Sequence, residues 1–178
     1  MQTLWSYQSN RIKQGGSETK ISGLSSADFG IRFNIFEEDD NAPALGFEVL
    51  YKTKIRSSDY KPDHPSAKLN IMATKTLSDQ FGLNANLGTE FDGNGGAPNG
   101  FYTLNLVYSV SDVLGVFFEN YGNFSNSHFD TFFDFGGAYI VNPNFQLDFS
   151  GGFGYNNSTF SYLVSGGISY RIVQWRKS

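Results

Sequence analysis

From Ala27 onward, large apolar residues alternate with small or polar ones at a period of two. Ala27, Phe29, Ile31, Phe33 and Ile35 fall on one side, and Asp28, Gly30, Arg32 and Asn34 on the other. The next run sets Leu45, Phe47, Val49, Tyr51, Thr53 and Ile55 against Gly46, Glu48, Leu50, Lys52 and Lys54. The same alternation continues over Ala67–Thr74, Phe81–Phe91, Tyr102–Val110, Leu114–Tyr121, Phe132–Tyr139, Phe145–Tyr155 and Phe160–Ile172. Strict alternation predicts half-buried β-strands rather than helices. It yields nine clear strands and a weaker tenth over Gln2–Lys13, with Trp5 and Tyr7 on one side. Most runs approach the roughly 9–11 residues that a tilted strand needs to cross a bilayer. Strands of soluble domains are shorter, about 5–6 residues.

The connections are expected to alternate in length. Short turns are expected at Ser78-Asp79, Ser111-Asp112 and Asn142-Pro143-Asn144, with a somewhat longer one over Glu37–Pro43. Longer loops are expected over Gln14–Ser25, Ser57–Pro65, Asp92–Gly100 and Asn123–Phe129, and a shorter one over Asn156–Thr159. Short turns at one end and long loops at the other are the habit of outer-membrane barrels. Ten strands put both termini at the short-turn, periplasmic end. Antiparallel pairing about Asp39-Asp40 sets Arg32 opposite Glu48 and Asp28 opposite Lys52 in one register. Pairing about Ser78-Asp79-Gln80 sets Lys68 opposite Glu90. Charges that meet in register belong on an inward face, where each needs a partner.

Composition supports a barrel with a polar inside. The chain has 178 residues, which suits a single domain over 1–178. Aromatic residues make up 17 % of it, with 18 Phe and 10 Tyr, yet mean hydropathy is only −0.32. So many aromatics at so low a hydropathy require polar residues between them. No apolar run approaches the roughly 18 residues of a membrane-spanning helix. The net charge of −4 argues against nucleic acid as a partner. The absence of cysteine fits an envelope protein without requiring one. The start, Met1-Gln2-Thr3-Leu4-Trp5-Ser6, carries neither a basic stretch nor a cleavage site. The expectation is therefore a removed leader or missing N-terminal strands, which would raise the strand number to twelve. The fold class expected is an antiparallel up-and-down transmembrane β-barrel of about ten strands.

Several short segments together resemble a known family. They are Thr76-Leu77-Ser78-Asp79-Gln80-Phe81-Gly82-Leu83, Asn86-Leu87-Gly88-Thr89-Glu90-Phe91-Asp92-Gly93 and Ser111-Asp112-Val113-Leu114-Gly115-Val116-Phe117-Phe118-Glu119. With them go Asn142-Pro143-Asn144-Phe145-Gln146-Leu147-Asp148, Ser150-Gly151-Gly152-Phe153-Gly154 and Gly167-Ile168-Ser169-Tyr170-Arg171. Over Ala27–Ile172 the chain resembles the outer-membrane family labelled putative meta-pathway of phenol degradation, in its Bacteroidetes-type members. The resemblance implies an outer-membrane barrel that takes up hydrophobic or aromatic compounds. It carries over no binding residues. Family members usually have further N-terminal strands and stop near the final Tyr-Arg-aromatic, whereas this chain runs on through Trp175 to Ser178.

No constellation calls for catalysis, a metal or a cofactor. His64 and His128 fall in expected external loops, and Ser127-His128 with Asp130 lacks a nucleophile elbow. Glu37-Glu38-Asp39-Asp40 lacks the ligand spacing of a calcium loop and reads as an acidic turn. Asp92-Gly93-Asn94-Gly95-Gly96 precedes a strand, not a helix, so it is no phosphate cradle. The candidate lumen-lining residues are Arg32, Glu48, Lys52, Lys54, Lys68, Glu90, Phe117, Glu119, Tyr121, Phe132, Asp134, Asp148 and Arg171. Of these, Arg32, Lys52, Lys54 and Lys68 are basic and early, while Glu90, Glu119, Asp134 and Asp148 are acidic and later. Phe117, Tyr121 and Phe132 are aromatic on the inward face. The functional expectation is a passive channel or transporter for small molecules, hydrophobic or aromatic ones included. The alternative is a structural or partner-binding barrel whose lumen is plugged by its own salt bridges. Membrane lipids are the expected partners in either case.

Overall fold

The computed structural model describes residues 2–14, 17–125, 128–156 and 159–171. Ten strands form one antiparallel sheet in sequence order. They are β1 (Gln2–Gln14), β2 (Ser17–Phe36), β3 (Ala44–Lys52), β4 (Ser66–Thr76), β5 (Phe81–Glu90), β6 (Asn99–Ser111), β7 (Leu114–Ser125), β8 (His128–Asn142), β9 (Phe145–Asn156) and β10 (Thr159–Tyr170). Each strand pairs with its sequence neighbour, and β1 is not paired with β10 among the described residues. The only helical element described is a 3-10 turn at Ser58–Tyr60. Among the described residues no helix is long and apolar enough to cross a membrane.

The sheet is inside-out relative to a water-soluble domain. Phe149, Val164 and Ile168 are 66, 71 and 72 % exposed. On the opposite face Asp28, Glu48 and Asn70 are only 2, 8 and 8 % exposed. The charged side chains therefore lie mainly on the enclosed face and most of the aromatic ones on the outer face. Ala27 and Leu50 are the only buried hydrophobic residues among those described. Such a partition has no hydrophobic core to drive collapse in water.

The expected registers are present. Arg32 lies opposite Glu48, Asp28 opposite Lys52, and Lys68 opposite Glu90. Turn chemistry explains the short connections. The Asp39 carboxylate accepts from the backbone N–H groups of Asn41 and Ala42, each at 2.8 Å. The Ser78 hydroxyl accepts from the N–H groups of Gln80 and Phe81. Asn142 accepts from the N–H of Asn144 at 2.9 Å. These residue types favour turns because their side chains hydrogen-bond their own backbone two or three residues on. Register shifts at Asn34/Phe36, Ser109/Ser111 and Ile140/Asn142 lie beside the turns at Glu37–Pro43, Ser111-Asp112 and Asn142–Asn144. There a bulge lets the strands twist into the hairpin.

Two expected loops are strands instead. β2 begins at Ser17 and pairs with β1 up to Gln14 opposite Ser17, so Gln14–Ser25 is mostly ladder. β7 continues to Ser125 and β8 starts at His128, which replaces most of the Asn123–Phe129 loop. Both stretches are rich in Ser, Gly and Asn, with too few apolar residues to carry a clear alternation, yet backbone pairing needs none. A third difference is at β3, which stops at Lys52 rather than continuing to Ile55. The long connections that remain are 53–65 and 91–98, at the same end of the sheet. They are stapled together: the His64 N–H donates to the Gly93 carbonyl at 2.8 Å, and the Asp63 N–H to Asn94 Oδ1 at 3.1 Å.

Candidate functional site

The enclosed polar face carries two unlike regions. The first spans β2–β5, where cations and carboxylates sit on neighbouring strands. Arg32 donates to Glu48 Oε2 through Nη2 at 2.8 Å and through Nε at 3.3 Å. Lys52 Nζ reaches past β4 to bond Glu90 Oε1. Lys68 Nζ lies 3.9 Å from the other oxygen of Glu90 and 4.2 Å from the Phe101 ring centre. One carboxylate thus holds two ammonium groups, one of which also rests on an aromatic face.

The connection 53–65 adds a further pair. Asp28 sits opposite Lys52 in the ladder, but its carboxylate takes Arg56, with Nη2 to Oδ1 at 3.1 Å. The same Oδ1 accepts the Thr53 N–H at 3.0 Å. The Thr53 hydroxyl donates to the Ala27 carbonyl at 2.6 Å. Ser57 and Leu24 exchange bonds: the Leu24 N–H donates to Ser57 Oγ and the Ser57 N–H to the Leu24 carbonyl, both at 2.9 Å. The Tyr60 hydroxyl donates to the Ile21 carbonyl at 3.4 Å. The start of this connection therefore folds down on β2 and carries Arg56 onto the enclosed face. A cleft of about 320 Å³ lies there, bounded by Ser6, Asp28, Lys52, Arg56, Lys68 and Glu90.

The second region spans β6–β9 and has no cation. Glu119 of β7 lies opposite Asp134 of β8, and Tyr121 opposite Phe132. The two rings stack at 5.4 Å between centres, 15° apart in plane. Asn105 Nδ2 donates to Glu119 Oε1 at 3.1 Å. Asp134 is 9 % exposed, and its buried Oδ1 has no hydrogen-bond partner. The side chains lean over glycines. A Cβ on Gly154 would stand 2.6 Å from Phe132 Cδ1, one on Gly136 2.9 Å from Phe117 Cε1, and one on Gly152 3.2 Å from Asp134 Cβ. Asp148 is held by Gln146, and its Oδ2 accepts from Ser169 at 3.4 Å.

The candidates fall into groups. Arg32, Glu48, Lys52, Lys68 and Glu90 come together on the first region. Phe117, Glu119, Tyr121, Phe132 and Asp134 come together on the second. Asp148 stands apart on β9. Lys54 lies past the end of β3, exposed, with Nζ bonded to the Asp63 carbonyl. Arg171 lies just past β10, exposed, and its N–H donates to the Asn144 carbonyl at 2.8 Å.

Arg56 and Phe101 are the residues that alternation alone missed. Arg56 sits in a connection, where no periodic signal exists. Phe101 precedes the expected start of its strand, yet β6 begins at Asn99 and points the ring inward over Gly88. A phenylalanine directly after the Gly-rich Asp92–Gly100 loop, at odd parity to Tyr102, was the available signal. His64 and His128 are exposed, and no three His, Asp or Glu side chains gather as metal ligands among the described residues. Ser127 lies outside the described residues.

The chain belongs to the family described as "Putative MetA-pathway of phenol degradation", which it matches over residues 2–172. No curated protein matches it.

Proposed function

Starting from that membership, we propose that the protein is an outer-membrane β-barrel of a Gram-negative bacterium and a passive channel or transporter for small molecules, hydrophobic or aromatic ones included. The observation that carries this reading is the inverted partition of the sheet. A surface of Phe, Ile, Val and Tyr around an enclosed face of Asp, Glu, Arg, Lys and Asn is stable where lipid replaces water outside. An even number of strands puts both described ends of the sheet on the short-turn side, which this reading makes periplasmic. Its partners are then membrane lipids on the outer face and a small solute within. It calls for no catalytic residue, cofactor or nucleic acid.

A second reading, a structural or partner-binding barrel with a plugged lumen, draws on a specific observation. Arg56–Asp28 and Lys52–Glu90 tie the 53–65 connection and three strands across the enclosed face. About eight to ten strands also leave an interior that side chains can largely fill. Planar-bilayer recording separates the two. The channel reading expects unitary conductance that changes with Lys52→Ala and Glu119→Ala. Silence in the parent and in both variants would establish the plug. A protein that stays monodisperse in water without detergent would refute both.

A further inference from the structure

The two regions of the enclosed face treat charge differently. On β2–β5 every acidic side chain named above has a basic neighbour. On β7–β8 the opposed carboxylates Glu119 and Asp134 have none among the described residues. Directly opposed positions on neighbouring strands bring Cβ atoms to roughly 4.5–5.5 Å, where like charges repel. Asn105 relieves one oxygen of Glu119. Asp134 Oδ1 is buried and unpartnered, which is costly for a carboxylate unless something cationic meets it.

The surroundings narrow the chemistry of that cation. Beside the carboxylates, two positions along each strand, lies the stacked pair Tyr121–Phe132. On the β9 side stand Gly152 and Gly154, which offer no side chain of their own. Rings and acids stand on the same two strands and the same face, so they share one locality. Calcium and magnesium ask for about six or more oxygen ligands and zinc for four ligands, and the described residues gather no group of three acidic or histidine ligands. An ammonium group on an apolar body fits better. Its N–H donors meet the carboxylates, and its carbon skeleton and positive edge lie on the rings.

We propose that Glu119, Asp134, Tyr121 and Phe132 form a binding site for a small organic cation, an aromatic ammonium ion. This deepens the channel reading, because it rests on the enclosed face being open to solutes, and it gives the solute a sign of charge. The early region has consumed its cations internally, so the later region sets the selectivity.

Equilibrium titration of the detergent-solubilised full chain tests it, with benzylammonium as probe and benzoate and benzyl alcohol as matched controls. Benzylammonium is expected to bind saturably, at least about ten-fold more tightly than either control. Asp134→Asn is expected to weaken it about ten-fold, and Phe132→Ala several-fold. Glu38→Gln, in the far turn, is expected to leave it unchanged. Should Asp134→Asn fail to fold, Glu119→Gln carries the same expectation. Equal binding of benzoate and benzylammonium, or undiminished binding by the folded carboxamide variant, overturns the site. Conductance in a bilayer is scored separately. Binding without conductance retains the site and removes the channel; conductance without binding does the reverse.

Discussion

The β2–β5 and β7–β8 parts of the enclosed face are built from one sheet and one alternation, yet they solve the problem of interior polarity in opposite ways. The first pairs Arg32 with Glu48, Arg56 with Asp28, and both Lys52 and Lys68 with Glu90. The second sets Glu119 against Asp134 and surrounds them with rings laid over glycines. The contrast teaches that alternation decides which face a residue occupies, while strand register decides whether a charge there is matched. Removing one charge should therefore have opposite consequences in the two places.

The largest effect is expected at Asp28, whose side chain is 2 % exposed against 11 % for Arg56. Asp28→Ala leaves a buried guanidinium unmatched and should cost about 3–5 kcal/mol of unfolding free energy in micelles, read by urea titration. Combining it with Arg56→Met should recover much of that loss. In contrast, Asp134→Asn removes a like-charge opposition and should be neutral or stabilise by up to about 1 kcal/mol. A large loss at Asp134 would erase the distinction between the regions.

Next in size is the outer face. Phe118, at the middle of β7, is 50 % exposed. On the membrane reading, Phe118→Lys should cost about 2–4 kcal/mol in a bilayer, whereas Asn86→Lys on the enclosed face should cost little. Comparable costs at both positions would break the assignment of faces.

Glycine packing gives a smaller contrast. A Cβ at Gly154 would stand 2.2 Å from the Thr131 carbonyl oxygen, so the strand must shift. Gly154→Ala should destabilise by about 1–3 kcal/mol. A Cβ at Gly82 meets nothing within 4 Å. Gly82→Ala should be neutral or stabilise by about 0.4–1 kcal/mol through the unfolded chain.

The smallest effect belongs to the turn joining β2 and β3. Glu38 accepts the Thr76 N–H at 2.7 Å and the Thr76 hydroxyl at 3.1 Å, with Lys75 Nζ at 3.5 Å. The backbone bond from Thr76 foremost, then its hydroxyl and Lys75, lower the Glu38 pKa from the ordinary value of 4.5. A carboxyl lowered on folding adds stability above its unfolded value and loses it as pH falls through the lower folded one. Acidification below that range should therefore depress the melting temperature slightly less in Glu38→Gln than in the parent.

Much of the wall is legible in the sequence itself. Alternation located the strands after Ala27, and the Arg32/Glu48, Asp28/Lys52 and Lys68/Glu90 registers followed from turn positions and complementary charge. Ser78, Asp39 and Asn142 marked their turns by their own hydrogen-bonding habits. Three things were not legible. The β1–β2 ladder beyond Gly23 is mostly polar, with Ile12 and Ile21 too sparse to show a period, and backbone pairing leaves no trace in such a composition. The inward course of residues 53–57 depends on Ser57 meeting Leu24, a contact between residues far apart in sequence. The choice of Arg56 over Lys52 as the partner of Asp28 follows from that course. Registers reveal which residues face each other across a ladder; side-chain reach, as with Lys52 crossing to Glu90, decides which of them bond.

The near absence of buried hydrophobic side chains bears on how this chain is made. With only Ala27 and Leu50 withdrawn from contact on the described part of the sheet, water offers no collapsed intermediate worth occupying. Closing ladders between neighbours in sequence needs only local searches, but each new hairpin exposes more greasy surface than it hides. On the membrane reading, hairpin growth and entry into lipid therefore proceed as one event. On the same reading, a chain delayed before that moment should precipitate rather than persist as a misfolded monomer.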